Sequence, residues 1–314
     1  MAEGSKGVVY AALAGNLAIA GIKLTAFLFT RSSAMLAEAL HSLVDILDQV
    51  FLMIGIHRAA KPPDAEHPFG YGLETYFWSF AVALLIFALG GAASVWQGVQ
   101  HILRPEPLSR LWINYLVLAL SAVFEGASFL IGYRQFRRIV HGRRIRLWRF
   151  LQVSKDPSLF ATLLEDAAAL VGLAVAAIGI TGASVFHLAW ADGAASVAIG
   201  LLLAAVALFL ANEVRSLIAG EAATPMLLAA VRKILDDDAD VALTEEVLSL
   251  QLGPQSILVG VTLEFRDGLT GDELQTIAGD LSDRVQAADP RIGRIFLRPL
   301  SRRPRSPPPA QEAS

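Results

Sequence analysis

His41 and Asp45 stand four residues apart inside AMLAEALHSLVDILDQVFLMIGI (34–56), a stretch otherwise apolar enough to cross a bilayer. On a helix, that spacing puts both side chains on one face. An ionisable group at the bilayer centre costs about 2.5–3.5 kcal/mol on insertion scales, so it faces a cavity or a partner and marks a working position. An imidazole and a carboxylate converging on one point form half of a metal site. Glu38 and Asp48 extend the same stripe. Nearer the helix ends, these two serve equally well as partners of basic groups.

A second source of carboxylates is TLLEDAAALVGL (162–173), where Glu165 and Asp166 are adjacent. Neighbours on a helix point about 100° apart, so both cannot face one small cation equally well. Thr162, four residues before Asp166, shares its face. Asp166 is therefore the favoured ligand, and Thr162 and Glu165 are candidates for a fourth position. Glu165 has a structural alternative, pairing with a basic group near the cytoplasmic side. Imidazole suits zinc, iron, cobalt and nickel, whereas an all-oxygen set suits magnesium, calcium or manganese. Zinc prefers four ligands, so His41, Asp45 and Asp166 would need water, Thr162 or Glu165 beside them. Such ligands shed protons to bind metal. A site of this kind, opened to each side of a membrane in turn, exchanges a metal ion for protons.

The segment KPPDAEHPFGYGLE (61–74) holds Asp64, Glu66 and His67 close together. It reads as a tight turn whose glycines permit unusual backbone angles, with Asp64 and His67 as an alternative loop metal pair. Lys23 and Glu125, each within an apolar stretch, are suited to a buried ion pair. Asp192 opens another apolar stretch, where a carboxylate favours the helix N-terminus by capping and dipole. Asn16 is placed to bond between helices, and the small-residue runs GGAAS (90–94) and ADGAASVAIG (191–200) allow helices to approach closely.

The elements that must position these groups are membrane helices. The 314 residues are 54% hydrophobic and 18% charged, with a mean hydropathy of +0.52, an excess that points to a multispanning membrane protein. Six stretches can span: 8–30, 34–57, 75–102, 111–133, 158–181 and 188–211. The opening MAEGSKG lacks a signal-peptide pattern, so the first stretch is expected to remain a helix. Eight basic residues lie between Arg134 and Lys155, Arg58 and Lys61 follow the second stretch, and Lys6 precedes the first, against Arg31, Arg104 and Arg110 in the opposite loops. Positive charge accumulates on the cytoplasmic side, which places both termini there, in a bacterial inner membrane. With no Cys in the chain, disulfides, zinc-thiolate sites and cysteine nucleophiles are excluded.

Beyond the last span, residues 221–299 carry 14 Asp and Glu against 7 Lys and Arg. An amphipathic helix over 223–237, strands over 246–252 and 257–265, a helix near 271–287 and a strand at 294–298 give the order αββαβ. The division is a six-helix transmembrane domain (1–211), a cytoplasmic α+β ferredoxin-like domain (212–299) and a disordered Pro- and Arg-rich tail (300–314).

Taken together, the chain resembles the cation diffusion facilitator family of metal transporters. The resemblance rests on AMLAEALHSLVDILDQ (34–49), HPFGYGLETYFWSF (67–80), LLEDAAALVGL (163–173), ADGAASVAIG (191–200) and LSLQLGPQSILVGVTLEF (248–265) with IFLRP. The second and third motifs look most like the branch of mitochondrial-type zinc transporters and their bacterial relatives. The resemblance implies a homodimer that exports metal from the cytoplasm by proton antiport, through a site between the second and fifth helices. It puts His41 and Asp45 on the second-helix ligand positions and Asp166 on the second of two fifth-helix positions. Three departures stand out. Thr162 occupies the first fifth-helix position, where His or Asp is usual. Tyr71 stands where better-studied members have a loop His. The C-terminal domain has neither His nor Cys, and Arg298 replaces a common Glu.

The expected activity is proton-coupled export of a divalent cation, with zinc first and iron, cobalt, nickel or manganese behind it. The metal is substrate, and no cofactor, enzymatic step or nucleic-acid partner is expected beyond protons, lipid and a second copy. The alternatives are a membrane-embedded metal sensor or scaffold, or a manganese or iron carrier of the same fold.

Overall fold

The computed structural model describes residues 3–108, 110–139, 155 and 157–300, which form two compact units divided between Ala219 and Gly220. Most of the basic stretch after Arg138 and the tail from 301 lie outside the described residues.

Among the described residues, the first unit has six long helices: α1 (Glu3–Thr30), α2 (Ser33–Ala59), α3 (Glu74–Leu103), α4 (Leu111–Ile139), α5 (Pro157–Ser184) and α6 (Ala191–Ile218). Among the described residues, α2 to α6 are each long and apolar enough to cross a membrane, and α1 contributes the apolar stretch Gly15–Thr30. A helix of 28 residues spans about 42 Å, more than the roughly 30 Å of a bilayer core. Helices satisfy their own backbone groups, which lipid cannot do for them. Large apolar side chains such as Trp96, Ile178 and Leu208 accordingly point outward, while others, among them Tyr76, Phe160 and Ile199, pack with small Ala and Ser residues in the interior.

Small residues set the closest helix pair. A Cβ at Gly98 of α3 would stand 2.7 Å from the carbonyl oxygen of Gly193 on α6, and one at Gly200 would stand 2.7 Å from that of Gly91. Backbones this close leave room for no side chain, and Ser196 Oγ donates across the contact to the Ser94 carbonyl at 3.0 Å. Midway along α3, residues Ile86–Ala92 are π-helical, a widened segment that hydropathy does not foretell.

Two findings revise the sequence reading. The last helix runs to Ile218, beyond the expected 211, because the polar Asn212–Arg215 turn continues it; an apolar stretch marks the bilayer, not the helix end. Asp192 stands in the first turn of its own helix, as expected, but the donors its carboxylate accepts from belong to α2. Its Oδ1 accepts from Ser32 Oγ at 2.6 Å, and its Oδ2 accepts from Ser33 N at 2.5 Å and Ser33 Oγ at 2.9 Å. Those donors belong to the first turn of α2, whose free N–H groups attract an anion. Arg31, at φ 60°, turns the chain tightly between α1 and α2.

The second unit is α7 (Pro225–Asp236), β1 (Val241–Gly253), β2 (Ser256–Phe265), α8 (Gly271–Ala288) and β3 (Ile292–Pro299), the expected αββαβ order. β2 is the middle strand, antiparallel to β1 and parallel to β3. Its alternate residues Ile257, Val259, Val261 and Leu263 are buried against Val231 and Leu235 of α7 and Leu281 and Val285 of α8. That period-2 burial is what one covered face of a sheet requires. Thr270 and Glu273 close α8 with a reciprocal capping box.

Candidate metal centre

The polar residues of the membrane unit gather around a cavity of about 360 Å³. Asp45, Asp48 and Gln49 line it from α2, Glu125 and Ser128 from α4, Thr162, Glu165 and Asp166 from α5, and Asn16 from α1. Among the described residues, five carboxyl side chains thus meet one space inside the membrane unit, and no basic side chain lines it.

Each carboxyl group has its own surroundings. Asp166 Oδ2 accepts a 2.8 Å hydrogen bond from Ser128 Oγ, one helix away. Asp45 Oδ1 lies 3.4 Å from His41 Nδ1. His41 is 2% exposed and does not line the cavity; neither ring nitrogen has a hydrogen-bond partner among the described residues. Asp48 and Glu165 line the same side of the site, from α2 and α5, and each leaves a buried oxygen unpartnered. The spacing of α2 thus brings His41 and Asp45 together, and Asp166 faces the same cavity from α5. In this conformation, no three described His, Asp or Glu side chains converge closely enough to hold one ion.

Behind the cavity lies a buried ammonium. Lys23 Nζ of α1 is 3.1 Å from Glu38 Oε2, 2.8 Å from Ser42 Oγ and 3.7 Å from Glu125 Oε1. The ion pair of Lys23 with Glu125 foreseen in the sequence is present, but Glu38 is the nearer partner. The stripe on α2 is therefore divided: Glu38 serves Lys23, while Asp45 and Asp48 serve the cavity. Ser128 and Glu125 are cavity residues that the sequence did not mark as such. Their one-turn spacing on α4 is the signal that could have found them.

The loop after α2 is organised around Asp64. Its carboxylate accepts from the backbone N–H of Glu66 at 3.0 Å, the N–H of His67 at 2.7 Å and the Tyr71 hydroxyl at 2.6 Å. These bonds hold Asp64 below the usual carboxylate range, with the Tyr71 bond foremost, and the same bond pushes Tyr71 up to about 12. His67 stacks on Tyr71, ring centroids 4.1 Å apart. Asp64 is thus engaged as a turn acceptor, which leaves the His67 ring as the other donor of the suggested loop pair. Gly70, at φ 85°, supplies the left-handed backbone the turn needs.

Comparison with known proteins agrees with this architecture. Residues 9–219 match the cation efflux transmembrane domain. The chain is 32% identical over 245 residues to the mitochondrial proton-coupled zinc antiporter SLC30A9 of Xenopus laevis, covering 77% of this chain and 44% of that protein. It is 31% identical over 265 residues to metal tolerance protein C4 of Arabidopsis thaliana, covering 83% and 57%. To the manganese efflux system protein MneS of Bacillus subtilis it is 25% identical over 281 residues, covering 87% and 88%. The chain spans about half the length of the SLC30A9 and C4 relatives. With its transmembrane unit matched along nearly its whole length, this chain belongs to the cation efflux family of integral membrane transporters, the cation diffusion facilitators.

Proposed function

We propose that the chain exports divalent transition-metal ions from the cytoplasm in exchange for protons, with zinc as the preferred substrate. The observation that carries this reading is the membrane cavity lined by five carboxyl groups and, among the described residues, by no basic side chain. A site so rich in acidic oxygen attracts a divalent cation, and protons take the cation's place when it leaves. Asp45 and Asp166 are the anionic ligands. His41 supplies the nitrogen that favours zinc over harder ions, and Thr162 or Glu165 completes the set. Because these donors stand apart in the present conformation, loading requires α2 and α5 to bring them together. A small rigid-body shift between packed helices is the usual scale of such steps.

The protein works as a homodimer with both termini and the αββαβ unit in the cytoplasm, an orientation supported by the basic residues that follow α2. The names of the antiporter and efflux relatives support metal transport and proton coupling.

The test is flux in proteoliposomes carrying a metal-sensitive dye inside and a proton-sensitive dye alongside. Zinc entry matched by opposite proton movement is expected, and Asp45→Ala or Asp166→Ala should abolish both while the protein still folds. Wild-type flux in both variants would sink the ligand assignment. Metal binding with no flux in the wild type would return the sensor reading.

A further inference from the structure

The proposed ligand set makes little use of one part of the cavity. Asp48 of α2 is 4% exposed and Glu165 of α5 is 7% exposed, and both line the cavity. Each keeps one oxygen without a hydrogen-bond partner, Asp48 Oδ1 and Glu165 Oε1. They face one small cavity from neighbouring helices, close enough to act on each other electrostatically. Two buried carboxyl groups so placed repel unless a proton or a cation lies between them. Lys23 cannot supply that charge, because its ammonium is held by Glu38, Ser42 and Glu125. Gln49, beside Asp48 on the cavity wall, adds a neutral oxygen donor.

Resting on the reading of this cavity as the cation's route, we infer that Asp48 and Glu165 form a second divalent-cation station, built from oxygen donors alone. Asp48 follows Asp45 by one turn, about 5 Å along α2, toward the end that carries Arg58. The station therefore lies on the proposed cytoplasmic side of the His41–Asp45 pair. Glu165 points about 100° away from Asp166 on α5, so it serves Asp48 more readily than the ion held by Asp166. An oxygen-only station accepts manganese as well as zinc. Selection for nitrogen-binding metals is then made two turns further on, at His41.

Manganese binding to the purified full chain in detergent tests this, read by electron paramagnetic resonance and by metal content after equilibrium dialysis. The double variant Asp45→Asn/Asp166→Asn should retain one bound manganese per protomer. Adding Asp48→Asn should weaken that residual binding by at least ~10-fold, and adding Glu165→Gln as well should remove it. The inference is overturned if the double variant binds no manganese, or if Asp48→Asn leaves its affinity unchanged. Should the fourfold variant fail to fold, the Asp48→Asn comparison alone decides. Loss of transport in wild-type liposomes with the residual binding intact would refute the transport reading and leave this station standing.

Discussion

Lys23 Nζ of α1 lies 3.1 Å from Glu38 Oε2 of α2, with both side chains fully buried. Removing one partner of such a pair strands the other charge and costs about 3–5 kcal/mol, whereas replacing both by apolar residues is often near neutral. Lys23→Met is expected to destabilise the protein by about 3–5 kcal/mol. Lys23→Met/Glu38→Met should recover most of the loss, with Glu125 setting the remainder. Unfolding titrations in mixed micelles measure the cycle. A double variant worse than either single would show that the pair is not the unit.

Glycine substitutions probe the contacts that the helices require. A Cβ at Gly98 meets the Gly193 carbonyl and the Val197 amide at 2.7 Å, whereas one at Gly126 on α4 meets nothing within 4 Å. Gly98→Ala should cost about 1–3 kcal/mol through forced separation of α3 and α6. Gly126→Ala should stabilise by about 0.4–1 kcal/mol. Thermal inactivation of the two variants in the same detergent checks the contrast.

Ser128 supports Asp166 through one hydrogen bond, with Oγ 2.8 Å from Oδ2. Outer partners of metal ligands typically contribute 10–100-fold to metal affinity. Ser128→Ala should therefore raise the zinc concentration for half-maximal flux by about 10–100-fold and leave the melting temperature nearly unchanged. A large stability loss with unaltered flux would count against a supporting role.

Exchanging the proposed nitrogen ligand for oxygen should alter choice rather than rate. His41→Asp is expected to move selectivity toward manganese and magnesium, as harder ions prefer oxygen sets. Competition flux with paired metals reads the shift. An unchanged zinc preference would remove His41 from the ligand set.

The loop after α2 makes a prediction in pH. Tyr71 is pushed up to about 12 by its bond to Asp64, so that bond's stabilisation is present at neutral pH and lost as pH rises through about 12. Asp64 sits below its ordinary 3.8, so its share persists at neutral pH and is lost only as pH falls through that depressed value. An ultraviolet difference titration of the wild type against Tyr71→Phe should place Tyr71 near 12, and Asp64→Asn should return it toward about 10. A midpoint near 10 in the wild type would mean that the bond does not form in solution.

Much of this architecture is legible in the chain, and the unread parts share a cause. The apolar runs and the alternation in β2 announce their elements because each reports on a single face. The stripe of Glu38, His41, Asp45 and Asp48 was legible as a stripe, but a helical wheel says nothing about what stands opposite each level. Lys23 faces Glu38, and Glu165 faces Asp48. The bonds that Asp192 makes to α2 were unreadable for the same reason: its partners, Ser32 and Ser33, lie 160 and 159 positions away. The π-helical Ile86–Ala92 segment is likewise invisible to hydropathy, which registers polarity and not the winding of the backbone.

The cap that Asp192 places on α2 has a mechanical consequence. Three short bonds to one buried carboxylate pin the Ser32–Ser33 end of α2 to α6, so a tilt of α2 would pivot about that end. Asp45 sits about 18 Å down the helix from Ser33, at ~1.5 Å per residue. A tilt of roughly 10° would carry its carboxylate about 3 Å, enough to make or break a metal–oxygen bond. The stroke grows with distance from the pivot, so Asp48, beyond Asp45, would move further than Asp45.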